Sequence, residues 1–486
     1  MDDRLLEWQE LLSHTRVATL IDGKLPSHRP DEDIRSPFEQ DYGRAAFSTP
    51  VRRLQDKAQV FPLEEHDAIR TRLTHSIEVS SVARGLGASA AARLLEKKLI
   101  SYEQKTCIET IAATCGLIHD LGNPPFGHAG EAAIGSWFEK RPAGFFSAFL
   151  GEGTGSLGDA EKDVAARDTQ LAQDFLHFEG NAQTQRLLSQ LQVLADENGL
   201  NLTAGTLSAS CKYIAASHET DRHKPKSNRR QPYKKHGYFA SESHLINKIR
   251  EATGTGVARN PITLLVEAAD DIVYATVDIE DGIKKKLLTW DSLYKELCDR
   301  CPREILDPIV VEAKSKIDPA GFTGSSYDEA MSVAFRTFAI RGMVIAVSQT
   351  FSDEYESAMT GTYLKEMLYE SPAGGLAKAC KDIAAKYVYS APAVLKTEIM
   401  GRKVIHDLLD LYWEAFDLSP KQVQSEFGRR IKQLISPNYR HVYEKNLASP
   451  ARKLPEAYFR MQLVADQVAG MTDSYAVSLH RELTNG

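Results

Sequence analysis

The sequence predicts an all-α protein. Long segments place apolar residues at three- and four-residue intervals, the signature of helices with one buried stripe. Alternating apolar and polar residues, the signature of half-buried strands, are few. The breaks between the periodic segments fall at clusters of Gly, Pro, Ser and Asp: "GNPPFGHAG", "GEGTGSLGD" at 151–159, and "DPAGFTGSSYD".

The 486 residues suffice for two or three domain-sized units, or for one large helical body with an appended lobe. The first clear helix is expected over 71–90, where His75 stands in register with Val79, Val82 and Leu86. The second, over 103–119, aligns Ile108, Ile111, Cys115 and His119 on one face. Asp120 follows at its end, where "LGNPP" stops the helix. A third helix is expected over 182–197. A short strand or two is expected within 198–245, around the basic run "RHKPKSNRRQPYKK" at 222–235. The fourth helix, over 261–279, opens with Asn260 as cap and Pro261 at its first position. Along it Val266, Asp270, Tyr274 and Asp278 lie four apart, so two carboxylates and a phenol share one face of an otherwise apolar helix. Helices over 328–350 and 393–416 complete the set. The chain has no internal repeat and no long low-complexity tract.

Composition narrows the function classes. Hydrophobic residues are 42% and charged residues 26%, as in ordinary globular proteins. No apolar run approaching the ~18 residues of a membrane span stands out. The start "MDDRLLEWQELL" is acidic and amphipathic, unlike a signal peptide, so no membrane association and a cytoplasmic location are expected. The six cysteines are scattered, as reduced thiols are, and the pair Cys298 and Cys301 lacks the second pair a zinc site needs. A net charge of −7 does not advertise a nucleic-acid surface, although the basic run reads either as a solvated loop or as an anion-binding one. "GTGSLG" at 153–158 matches a dinucleotide fingerprint only formally, without its strand–turn–helix context. "HETDRH" at 218–223 spaces its histidines by five, which does not bring them together on one helical face as four does.

The stretch "GLIHDLGNPPFGHAGE", residues 116–131, carries the chemistry. A single core histidine is ordinarily a packing residue. Here two inward histidines, His75 and His119, combine with Asp120 and with a later aspartate on the 261–279 helix. Burying ionised carboxylates is costly unless they pair or bind metal. Two imidazoles and two carboxylates suit a hard or borderline divalent ion such as Mn²⁺, Mg²⁺ or Fe²⁺.

"RLTHS", "HDLGNPPFGHAGE", "HFEGNAQ" at 177–183 and "EAADDIVYATVDIED" resemble the HD superfamily. With "STPVRRLQDKAQVFP" at 48–62 and "GMTDSYA" at 470–476, they resemble its deoxynucleoside triphosphate triphosphohydrolases of the bacterial dGTPase type. The resemblance implies an HD-domain helical core over 66–285, an N-terminal segment 1–65 contributing to the nucleotide site, and a C-terminal helical region 286–486. It implies His75, His119, Asp120 and Asp270 as metal ligands, and hydrolysis of a dNTP, dGTP foremost, to deoxynucleoside and intact triphosphate. His128 and Glu131 are the implied acid–base pair, with His177 as a further catalytic histidine. Arg72, Lys212, Lys234 and Lys235 are implied on the triphosphate. Gln59 and Val60 are implied at the 3′-hydroxyl and against C2′, with Tyr274 closing on the sugar and Asp278 joining the same network. An apolar wall alone rejects a ribose by only ~100-fold, so tight packing by the tyrosine is also needed. Glu398 and Arg440 are the expected contacts to the guanine edge. Asn123 stands where some HD triphosphohydrolases carry a histidine, and it cannot shuttle a proton at neutral pH. The resemblance further implies a hexamer, and single-stranded DNA or a dNTP as effector. Another HD nucleotide phosphohydrolase, or a DNA-binding regulatory HD protein, are the competing readings.

Overall fold

The computed structural model describes residues 5–23, 33–64, 66–150, 158–192, 197–416, 425–449 and 454–484. These residues form helices and turns, with three isolated β-bridges and no extended sheet among them. The fold is all-α. Residues 153–157 of "GTGSLG" and 193–196 of the expected 182–197 helix lie outside the described residues.

Helix α1 (Arg72–Glu96) starts where Thr71 accepts the Thr74 N–H, and it buries His75, Val79, Ala83, Leu86 and Leu94. Helix α2 (Tyr102–Ile118) is capped by Ser101 in the same way. The two lie unusually close: a Cβ on Gly116 would stand 2.8 Å from the Cα of Ser80, so only glycine fits there. The Ser80 hydroxyl donates to the Ala113 carbonyl at 2.7 Å across the same contact. Helix α3 (Gly127–Glu139) follows the Pro-Pro turn, and α4 (Gly180–Arg186) runs into one wide turn, Leu187–Leu191.

Helix α5 (Pro261–Lys284) is buried along nearly its whole length, which explains why its sequence is apolar on all sides except at a few charged positions. Helix α6 (Gly324–Asp353) holds an 18-residue window of mean hydropathy 1.5, long and apolar enough to cross a membrane by length and composition. That corrects the expectation that no such run exists. In the fold, Met331, Phe335, Ala339, Met343 and Val347 form a buried stripe, and the helix packs against α1 and α5. Helices α7 (Pro392–Glu414) and α8 (Glu456–Ala469) belong to the C-terminal third.

Two apolar cores result. One joins α1, α2, α5, α6 and the segments between 288 and 394; the other joins α3, the segments from 166 to 249, and residues 404–476. The chain after residue 286 is therefore shared between both cores. Histidines and carboxylates from both meet at the seam.

The expected strands within 198–245 do not form. That stretch is a short helix (Ala204–Ser210) and a string of tight turns, with one isolated bridge between Ala215 and His236. The reason is local: Pro225 and Pro232 lack the N–H a ladder needs, and Asp221 gathers the loop by binding Lys224 at 2.8 Å and Arg230 at 2.9 Å.

A buried ion-pair network ties the second core together. Arg186 of α4 bonds Asp466 of α8 through Nε and Nη2 at 2.9 and 2.7 Å, and Glu242 at 2.9 Å. All three side chains are buried. Arg186→Met leaves two buried carboxylates without their cation and is expected to lose about 3–5 kcal/mol of stability. Denaturant unfolding checks this; a loss under about 1 kcal/mol would show that the network contributes little.

Candidate active site

Three of the expected ligands converge. His75 Nε2 lies 3.2 Å from Asp270 Oδ1, and His119 Nε2 lies 3.4 Å from the same oxygen. One donor atom from each of the three lies within 4.8 Å of the others. His75 comes from α1, His119 from the end of α2 and Asp270 from the middle of α5, so the contact between the three helices is what builds the cluster. His119 Nδ1 donates to the Gly116 carbonyl at 2.7 Å, which aims Nε2 at the carboxylates as a buried nitrogen without a hydrogen-bond partner. Burial works against a charged His119, but Asp120 and Asp270 outweigh it and push this histidine up to about 9. The cluster thus attracts positive charge to Nε2. A divalent cation satisfies the same demand, so the donor set fits a metal.

Asp120 is placed differently. Its Oδ2 is 3.6 Å from His119 Nε2, yet the carboxylate pairs with Arg72 and accepts from Asn123 Nδ2 at 2.6 Å. Burial disfavours the Asp120 anion, but Arg72 and His119 override it and hold the carboxyl well below its usual range. Asn123, which cannot carry a proton, orients this carboxylate instead.

The turn between α2 and α3 is held from a distance. Phe126 and Gly127 adopt left-handed φ values of 63° and 58°. The buried Asp473 accepts the Phe126 N–H and the Ala58 N–H, each at 3.0 Å, and so ties the "GMTDSYA" segment to both neighbouring motifs. Lys57 donates to the carbonyls of Asn123 and Ala469. Its burial, reinforced by Arg72 and Arg53 and opposed by Asp473, lowers it to about 7. Asp473→Ala orphans two backbone donors and is expected to cost about 3 kcal/mol of stability. Thermal unfolding measures it, and an unchanged midpoint would remove Asp473 from the account.

The turn delivers His128 and Glu131 as a pair. His128 Nδ1 lies 2.7 Å from Glu131 Oε2, and Glu131 Oε1 accepts the Gly180 N–H at 2.7 Å. The glutamate side chain is 9% exposed and the histidine 79%, so a fixed carboxylate orients an imidazole that faces the cavity. The hydrogen bond to Glu131 and its charge raise His128, against the smaller effect of burial. Gly180 admits no side chain here: a Cβ would lie 2.4 Å from Asn123 Oδ1 and 2.8 Å from Glu131 Oε1. Glu179, buried beside it, binds Lys235 at 2.7 Å.

One cavity of about 490 Å³ connects these groups. His119, Asp120, Asp270 and His128 line it, with Arg72, Lys212, Lys234, Lys235 and Lys381 as its cations. Lys212 lies 3.3 Å from Asp270 Oδ2. Gln59, Val60 and Tyr274 line another part of the wall, and Glu398 stands among the lining residues from α7. Asp278 does not line the cavity. It lies buried behind Tyr389, whose hydroxyl donates to it at 2.6 Å and whose ring stacks on Tyr274 at 5.6 Å. Burial pushes Asp278 up to about 8, despite the Tyr389 hydrogen bond.

Two further expected residues stand elsewhere. His177 lines a neighbouring cavity that shares His128, Lys234 and Lys235 with the first. Arg440, on the Pro437–Ala448 helix, lines neither cavity, so the chain does not bring it to Glu398. The basic loop divides: Lys234 and Lys235 face the cavities, while Lys224 and Arg230 are fixed on Asp221. His218 and His223 of "HETDRH" are exposed. All six cysteines are free thiols.

Several lining residues escape sequence reasoning. Tyr389 sits at the end of a wide turn, Ala385–Tyr389, that helical periodicity cannot reveal. Asp271 lines the cavity beside Asp270 and is pushed up to about 7 by burial, in spite of Lys212. Asn181 lies within the quoted "HFEGNAQ", which was the available signal.

Residues 431–482 match the phosphohydrolase-associated domain, HD_assoc. The chain is 35% identical to a deoxyguanosinetriphosphate triphosphohydrolase-like protein of Listeria innocua over 487 residues, 98% of this chain and 99% of that one. A protein of the same name from Listeria monocytogenes matches equally, at 35% identity over 98% and 99% of the two chains. The deoxyguanosinetriphosphate triphosphohydrolase of Serratia proteamaculans is 33% identical over 93% of this chain and 94% of its own. By this near full-length similarity, the chain belongs to the deoxyguanosinetriphosphate triphosphohydrolase family of the HD superfamily.

Proposed function

We propose that the protein hydrolyses a deoxynucleoside triphosphate, dGTP foremost, to the deoxynucleoside and inorganic triphosphate, with a divalent metal. The observation that carries this reading is that His119 and Asp270 of the His75–His119–Asp270 cluster, and His128 of the His128–Glu131 pair, line one cationic cavity. The names of the relatives support the substrate. His75, His119, Asp120 and Asp270 would hold the ion. When bound, it supplies charge neutralisation at the α-phosphate and eases deprotonation of water.

The chain's own residues supply the rest. Arg72, Lys212, Lys234 and Lys235 hold the triphosphate and neutralise its charge. Water attacks the α-phosphorus, the bond from phosphorus to O5′ breaks, and O5′ needs a proton. His128 is the donor: Glu131 fixes its Nδ1–H, favours the protonated ring and leaves Nε2 to face the leaving oxygen. Gln59 bonds the 3′-hydroxyl, while Val60 and Tyr274 fill the space a 2′-hydroxyl would occupy.

The test supplies each of four dNTPs and GTP separately with Mn²⁺ or Mg²⁺ and resolves the products by ion exchange. Deoxyguanosine and tripolyphosphate, with little product from GTP, are expected. A nucleoside monophosphate with pyrophosphate, or no release even with single-stranded DNA or a second dNTP added, would sink the reading.

A further inference from the structure

A second cavity, of about 710 Å³, lies on the other side of His128. It shares His128, Lys234 and Lys235 with the reaction cavity. Its remaining wall includes Arg222, His177 and His236. Two of these side chains have no explanation in the fold.

His236 is 0% exposed, and neither of its ring nitrogens has a hydrogen-bond partner. Its backbone is bridged to Ala215, and its ring lies 5.6 Å from that of Phe239, so it is firmly placed. Buried polar groups are ordinarily satisfied, and a buried imidazole with two unmet nitrogens calls for a ligand. Burial, with the Arg222 and Lys235 cations nearby, lowers His236 to about 3, so the ring stays neutral. It can still donate one N–H.

Arg222 is half-buried. Its Nε donates to the Thr220 hydroxyl at 2.7 Å, and it pairs with no carboxylate among the described residues. Burial alone lowers it to about 10. Its loop neighbours are accounted for: Arg230 binds Asp221, and Arg229 donates to the carbonyls of Lys224 and Arg222. The carboxylates lining the cavity do not compensate Arg222 either. Glu131 is engaged by His128 and Gly180, and Glu179 by Lys235 and Asn181, while Glu139 is exposed. An uncompensated guanidinium, an imidazole N–H and two lysines are a donor set for a multiply charged phosphate anion.

We propose that this second cavity is a polyphosphate site that receives the inorganic triphosphate as it leaves the reaction cavity. The source of that anion rests on the function proposed above. Lys234 and Lys235 line both cavities, so the anion passes between them without losing both cations at once. The uncharged deoxynucleoside gains nothing from the charge of these cations. The phosphates of a second nucleotide share the same chemistry.

The test titrates inorganic tripolyphosphate calorimetrically into the full chain and into Arg222→Ala, with thermal unfolding as a control for folding. Arg222→Ala is expected to weaken tripolyphosphate binding about tenfold while kcat/KM for dGTP stays within about twofold. Arg222→Lys, which keeps the charge but not the fork, is expected to fall between. Should Arg222→Ala fail to fold, His236→Gln serves as the second variant. Unchanged tripolyphosphate affinity in these variants would overturn the proposal. Titration of dGTP in EDTA separates the two sources. One dGTP bound per chain in both proteins supports free triphosphate as the occupant. Two falling to one in the variant would overturn the product role in favour of a second nucleotide. Binding is read without turnover, so a protein that fails to hydrolyse dNTPs leaves this result readable.

Discussion

Asp270→Ala is expected to abolish turnover, with a loss of roughly 10³-fold or more, about 4 kcal/mol of transition-state stabilisation. The physical reason is that one oxygen serves two histidines. Oδ1 of Asp270 faces both His75 and His119, and Oδ2 faces Lys212. Burial disfavours the Asp270 anion, yet His119 and Lys212 hold the carboxyl well below its ordinary range. Removing it leaves the two imidazoles with Asp120 alone, already engaged by Arg72 and Asn123. Divalent-ion binding, read by calorimetry, is expected to disappear with activity. An Asp270→Asn variant keeps the shape and loses the charge, and it is expected to be equally inactive. Near wild-type metal affinity in either variant would show that the cluster is not the metal site.

Glu131→Gln is expected to lower kcat by about 10²–10³-fold and to move the pH profile. The sign follows from the raised value of His128, which the Glu131 hydrogen bond and charge produce. A proton donor works below its pKa and fails above it. Activity should therefore fall as pH rises through the raised His128 value. In Glu131→Gln the charge is gone, the His128 value drops toward that of a free histidine, and the falling limb moves to lower pH. Activity that rises through the same range would assign His128 to proton removal instead. His128→Ala should lose the limb altogether.

Much of this site is legible without coordinates, for a specific reason. His75, His119 and Asp270 lie on apolar helical stripes, where spacing alone predicts which way a side chain faces. His128 and Glu131 are three apart on one helix, so local geometry brings them together. The all-α class follows from the same periodicity. What is not legible depends on contacts across the chain. Nothing in the spacing of Asp473 announces that it caps the turn at Phe126, 347 residues away. Tyr389 reaches Tyr274 and Asp278 from a turn of irregular winding. The division of the basic loop was hidden because Asp221, which immobilises Arg230, sits outside the cationic run. Strand propensity around 198–245 lost to the prolines and to that anchor. Arg336 and Arg341 interrupt the apolar run of α6 and mask its length in the sequence.

The most direct test of the central claim is the position of isotope after turnover of dGTP in H₂¹⁸O. Attack of water at the α-phosphorus with departure of O5′ places one ¹⁸O in the tripolyphosphate and none in deoxyguanosine, as mass spectrometry of both products would show. Label in the deoxyguanosine, or label in a nucleoside monophosphate or pyrophosphate, would contradict the assignment of His128 as the donor to O5′ and the reaction built on it.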